Sequence, residues 1–175
     1  DLSGQFVPHK KPARGYDKAS LSVNSERLSV AKYIEAVKLG MLEVVVSMHE
    51  KGMDKNTTDT EGCSALMYAA EYGHLDIVKY LLSHKCDLFS RSMGQKESAL
   101  TLAAKNGHSE IIDVLLKSGM SVDHTMWCKQ TSLYHAASNG HLKCVKRILQ
   151  SQAERRHEAG QLGEVHEGGG GVVGP

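Results

Sequence analysis

The chain has 175 residues, 41% of them apolar and 23% charged, which is the make-up of an ordinary soluble globular domain. Twenty-one Lys and Arg against twenty Asp and Glu leave a formal charge of +1, so no global field draws nucleic acid or an anionic membrane. No run approaches the roughly 18 apolar residues of a membrane-spanning helix, and the N-terminus lacks the apolar stretch of a secretory signal, so the expected compartment is the cytoplasm, with the nucleus as alternative.

Residues 1–28 hold Pro8, Pro12 and the basic cluster His9, Lys10, Lys11 and Arg14, with few large apolar side chains. Such a segment does not bury enough surface to offset its ordering entropy, and it reads as a flexible, basic, proline-containing tail. The cluster is either solvated tail or a weak nuclear-import or phosphate-contacting patch.

From residue 29 the chain repeats. Gly40, Gly73, Gly107 and Gly140 are separated by 33, 34 and 33 residues. SALMYAAEYG from Ser64, SALTLAAKNG from Ser98 and TSLYHAASNG from Thr131 precede three of them, and HLDIVKYLL, HSEIIDVLL and HLKCVKRIL follow. The first unit, 29–58, diverges and lacks a loop of its own. The next three run about 59–92, 93–125 and 126–152. In the second, Leu66, Ala69 and Ala70 share one helical face, and Ile77, Val78, Leu81 and Leu82 share another beyond the hinge. Gly73 suits a left-handed helix end. The pairs Ala69/Ala70, Ala103/Ala104 and Ala136/Ala137 let neighbouring helix pairs approach closely. Two short amphipathic helices do not cover their own apolar faces, so stability requires stacking. Past Leu149 the last helix runs on into the polar SQAERRHEAG; with no fifth unit evident for Leu142, Val145, Ile148 and Leu149 to lean on, either this extension caps the end or a tail, a partner or a further segment covers it. Residues 153–175 form this extension and a tail rich in glycine.

These residues resemble the ankyrin repeat family over about residues 29–152. The resemblance implies an all-α solenoid of helix-turn-helix units joined by hairpin-like loops, with the first and last units acting as caps. The loop pattern is present as Asp59, Gly62, Ser64, Ala65 and Leu66. It departs where the family has Pro and then His at the helix start: here stand Ala65, Ala99 and Ser132, then Met67, Thr101 and Tyr134. In the third and fourth loops Met93 and Met126 replace Asp, and Lys96 and Lys129 replace Gly. A non-glycine residue is costly at positive φ, so these tips are expected to have another shape, with one extra residue near Ser90 to Gly94.

His74, His108 and His141 occupy one slot in successive units, where the family has a structural hydrogen bond between loops. His49-Glu50, His157-Glu158 and His166-Glu167 lack the second His of a zinc-protease helix. There is no phosphate loop, nucleophile elbow or kinase signature, so neither catalysis, cofactor nor metal is expected. Cys63, Cys86, Cys128 and Cys144 follow no disulfide or Cys-x-x-Cys spacing and read as thiols. The sequon at Asn56 falls in a loop slot where the family often has Asn. The glycines of the tail have neither strand before nor helix after them for dinucleotide binding.

A rigid array displaying variable side chains at fixed intervals suits macromolecular recognition. By resemblance the binding elements are the loop tips and the concave edge of each first helix. The candidates are Thr60, Glu61, Cys63, Glu71 and Tyr72, then Gln95, Glu97, Lys105 and Asn106, then Trp127, Gln130, Ser138 and Asn139. Trp127 is either a contact or a plug of its own loop. The expected partner is a protein, with no small-molecule substrate, no membrane insertion and no nucleic acid, and the array is expected to belong to a larger chain or complex. The alternative is a structural spacer whose N-terminal segment does the binding.

Overall fold

The computed structural model describes residues 29–121 and 131–163, with side chains as far as His157. The basic cluster from His9 to Arg14, the fourth loop with Met126, Trp127, Cys128, Lys129 and Gln130, and the glycine run from Gly168 lie outside the described residues. Within them eight helices follow one another: α1 at 29–38, α2 Leu42–Glu50, α3 Ala65–Tyr72, α4 Leu75–Ser83, α5 Ala99–Asn106, α6 Ser109–Lys117, α7 Ser132–Ser138 and α8 Leu142–Gly163. They make two layers. The first helix of each unit rests on the first helix of the next, α3 on α5 and α5 on α7, while α6 packs between α4 and α8. The fold is all-α, with a lone antiparallel bridge between Thr58 and Ser64 among the described residues.

Local chemistry sets the helix ends. Ser64, Ser98 and Thr131 sit in extended backbone before α3, α5 and α7, and each side-chain oxygen accepts from the amide three residues on, at 3.4, 3.3 and 3.3 Å. Such a cap satisfies an amide that has no partner inside the helix and contributes about 1 kcal/mol. Gly73 and Gly107 end α3 and α5 with φ of 84° and 82°, so the next helix begins two residues later. In the fourth unit the left-handed residue is Gly140, one step beyond the Asn139 cap.

Small residues lie between the layers, as expected for most of the alanine pairs. Ala69, Ala70, Ala103, Ala104 and Ala136 are wholly buried, whereas Ala137 is exposed because no unit stands beyond it among the described residues. Ile77, Val78 and Leu81, then Ile111, Ile112 and Leu115, fill the second layer, each contributing about 1.5–3 kcal/mol by burial. The two ends of the stack are built differently. At the first unit Lys32 and Glu35 are exposed where Ala65 and Tyr68, one unit on, are buried, so this end presents charge to water. At the last unit Tyr134 and Leu149 remain 51% and 47% exposed. Of the two expectations for this end, the described part of the polar continuation of α8 does not by itself cover it.

Candidate functional site

The second loop is a clasp around one carboxylate. Asp59 Oδ1 accepts the amides of Glu61 and Cys63, both at 2.9 Å, and Oδ2 accepts the Tyr68 hydroxyl at 2.5 Å. The Asp59 amide donates to the Cys63 carbonyl, and Gly62 turns the tip at φ 77°. Thr60 and Glu61 are left exposed at the apex. Asp59, Glu61 and Cys63 bring three potential metal-binding atoms within 4.8 Å of one another. Both Asp59 oxygens already hold the hairpin, however, and burial with the nearby Asp59 charge pushes the Cys63 thiol up toward its protonated form.

The third loop keeps the turn without the glycine. The Ser92 amide donates to the Glu97 carbonyl, closing a hairpin one residue longer than that between Asp59 and Cys63, and this places the extra residue. Lys96 takes the left-handed conformation at φ 58°, so the expected change of shape is an added residue and a strained lysine, with the turn retained. The loops are linked: the Met93 amide donates to the Glu61 carbonyl at 2.7 Å, and the Asp87 amide to Asn56 Oδ1 at 2.8 Å. Asn56 thus serves as an inter-unit tie. Gln95 is exposed, and Glu97 pairs with Lys105 at 3.2 Å.

The first-helix edges carry the remaining candidates. Tyr72, 51% exposed, lies parallel to the His74 ring with centroids 6.5 Å apart. The backbone carbonyls of Glu71 and Lys105 accept from His108 and His141, each at 3.0 Å, as that of Lys38 does from His74 at 2.8 Å. The three histidines therefore join each unit to the one before. Asn106 Nδ2 donates to the Leu102 carbonyl one turn back in its own helix, whereas Asn139 Nδ2 donates to the Lys105 carbonyl of the preceding unit, the same oxygen that His141 meets. Ser138 Oγ donates to the His135 carbonyl. Trp127 and Gln130 lie outside the described residues.

Sequence reasoning missed Leu39. It stands immediately before Gly40, as Tyr72, Asn106 and Asn139 stand before their hinges, and all four are exposed, Leu39 at 63%. The 33-residue spacing carried that signal, but the divergent first unit was read only as a cap. Elsewhere, His49 sits between the hydroxyls of Tyr33 and Tyr80, 2.8 and 3.2 Å from its ring nitrogens, which ties α1 through α2 to α4. A groove of about 430 Å³ between α6 and α8 is lined by Asp113, Lys117, Arg147, Glu154 and Arg155. It is open and carries both signs of charge, unlike the enclosed apolar pockets that hold small substrates.

A family model described as ankyrin repeats (3 copies) matches residues 33–126 and 87–159. The chain is 34% identical over 88 residues to an E3 ubiquitin-protein ligase of Arabidopsis thaliana, XBAT33, an alignment covering 50% of this chain and 17% of that protein. It is 34% identical over 84 residues to an L-asparaginase of Dirofilaria immitis, covering 48% and 14%, and 36% identical over 86 residues to human transient receptor potential cation channel subfamily A member 1, covering 47% and 7%. The chain thus spans less than a fifth of each of these relatives. Ankyrin repeats generally mediate protein–protein interaction, and the family is generally non-enzymatic.

Proposed function

The chain belongs to the ankyrin repeat family, and we propose that it is a non-catalytic recognition scaffold that binds a protein partner through its loop tips and first-helix edges. The observation that carries this reading is the row of exposed side chains before each hinge: Leu39, Tyr72, Asn106 and Asn139. Packed helices lie about 8–10 Å apart, so such a row meets an extended segment at regular intervals. Lys105 and Ser138 flank it, and Thr60, Glu61 and Gln95 add the tips; Trp127 and Gln130, expected to join them from the sequence, lie outside the described residues. The row is apolar at Leu39 and Tyr72 and polar at Asn106 and Asn139, which favours a partner segment with an apolar side chain at one end. The relatives fit a binding role, because a ligase, an L-asparaginase and a channel share no chemistry that this stretch of chain would supply.

The test is capture of partners from the native source with the whole chain, with the double variant Leu39→Ser, Tyr72→Ala, and with a form lacking residues 1–28. The proposal expects the double variant to lose capture, since truncating one buried aromatic anchor costs about 2 kcal/mol or more, and the shortened form to keep it. Retention by the double variant with loss on shortening would overturn the proposal in favour of a spacer that binds through its N-terminal segment.

A further inference from the structure

The inner layers show what the far side of a unit needs. Met67 and Thr101, Ala70 and Ala104, and Val78 and Ile112 are buried in the second and third units. Their counterparts in the last unit are Tyr134, Ala137 and Val145, of which the first two are exposed and the third half-buried. Leu142 and Leu149 join them, exposed by 71% and 47%. A second difference is independent of these side chains. At Gly40, Gly73 and Gly107 the next unit's histidine ring comes within 2.7, 2.6 and 2.7 Å of where a Cβ would be, whereas among the described residues nothing lies within 4 Å of that point at Gly140. By register, the carbonyl that such a histidine would meet is that of Ser138, the counterpart of Lys38, Glu71 and Lys105.

Among the described residues the last helix does not turn back as the earlier ones do. The helices α2, α4 and α6 are each nine residues long and give way to a loop, while α8 continues for 22 residues. A second copy stacked in the same register does not suit it either. Its leading face carries Lys32 and Glu35, where inner units have Ala65 or Ala99 and Tyr68 or Leu102, and Met41 stands where they have His74 or His108.

We propose that the face formed by Tyr134, Ala137, Leu142, Val145 and Leu149 docks the leading face of a repeat-type helical hairpin carried by another protein. That hairpin presents a small residue and an apolar residue on its first helix and a histidine at its hinge, which seats over Gly140 and donates to the Ser138 carbonyl. The contact extends the three interfaces already inside the array, and it is separate from the first-helix edges.

The test uses whole chains. The probe carries Lys32→Ala, Glu35→Leu and Met41→His, which give it an inner-type leading face, and Ala137→Arg, which blocks its own far face; all four positions are exposed. Sedimentation of probe with wild type at about 100 μM is expected to give a 1:1 complex, weakened about tenfold or more by Ala137→Arg in the wild-type partner. No complex, or one indifferent to Ala137→Arg, overturns the proposal. The wild type alone supplies a second reading that does not depend on the probe folding. It is expected to be monomeric, and a dimer that Ala137→Arg dissociates would assign the face to a second copy and overturn the choice of partner.

Discussion

Gly73 is constrained from two directions. Its φ of 84° strains any side chain, and a Cβ there would lie 2.6 Å from Cε1 of His108. Gly73→Ala is expected to cost about 1–2 kcal/mol in backbone conformation and to displace the bond from His108 to Glu71, adding about 1 kcal/mol. Chemical denaturation measures the sum, and a change below about 1 kcal/mol would contradict the account. The reverse applies at Lys96, which holds a left-handed turn without being glycine; Lys96→Gly is expected to stabilise by about 0.5–1 kcal/mol. Ser132 is simpler still. Its hydroxyl is buried without a partner among the described residues, and the equivalent residues are Ala65 and Ala99. Ser132→Ala is expected to raise stability by about 1 kcal/mol, and a loss would show that the hydroxyl has a role. The hinge glycines were legible because their spacing is visible in the sequence. Lys96 was not, since a lysine does not announce its φ and the loop's own hydrogen bonds decide it.

At the scale of elements, the helical faces could be read from the 3.6-residue period and the caps from Ser64, Ser98 and Thr131. The run of α8 through SQAERRHEAG was legible too, and only its last three residues were not. The glycines from Gly160 suggest a tail, yet the helix runs to Gly163, supported on its exposed side by a bond from Gln150 to Glu154 one turn on. The tie between the first helices was equally hidden, because Tyr33, His49 and Tyr80 are far apart in the chain and meet only when α1, α2 and α4 stack. It has a consequence for acid stability. Burial first, then the charges of His84 and Lys55, lower the pKa of His49 against a smaller opposing effect of Asp54, so the folded chain favours the neutral ring. Burial and then Lys105 do the same for His135, opposed by Glu97. Above about pH 6.5 both rings are neutral folded or unfolded; below it the unfolded chain takes up protons that the folded chain resists. Thermal stability is therefore expected to fall as pH drops from about 7 to 5, less steeply in His49→Asn. A midpoint that rises on acidification would contradict this.

For the molecule as a whole, the account rests on layers that hold one another. No unit covers its own apolar faces, and each inner interface combines buried alanines with a histidine that reaches back to the previous unit's carbonyl. The repeat made this architecture legible, whereas the contrast between a charged leading end and an apolar trailing end emerged only when equivalent positions were compared for burial. Native-state hydrogen exchange on the wild type and on His108→Ala tests the coupling most directly. The wild type is expected to exchange slowest across α3 to α6 and faster in α7, whose outer side is open. His108→Ala is expected to lower protection in α3 and α6 together, by about tenfold for each 1.4 kcal/mol lost. Loss confined to α6, with α3 unchanged, would contradict the claim that the units stand as one stack.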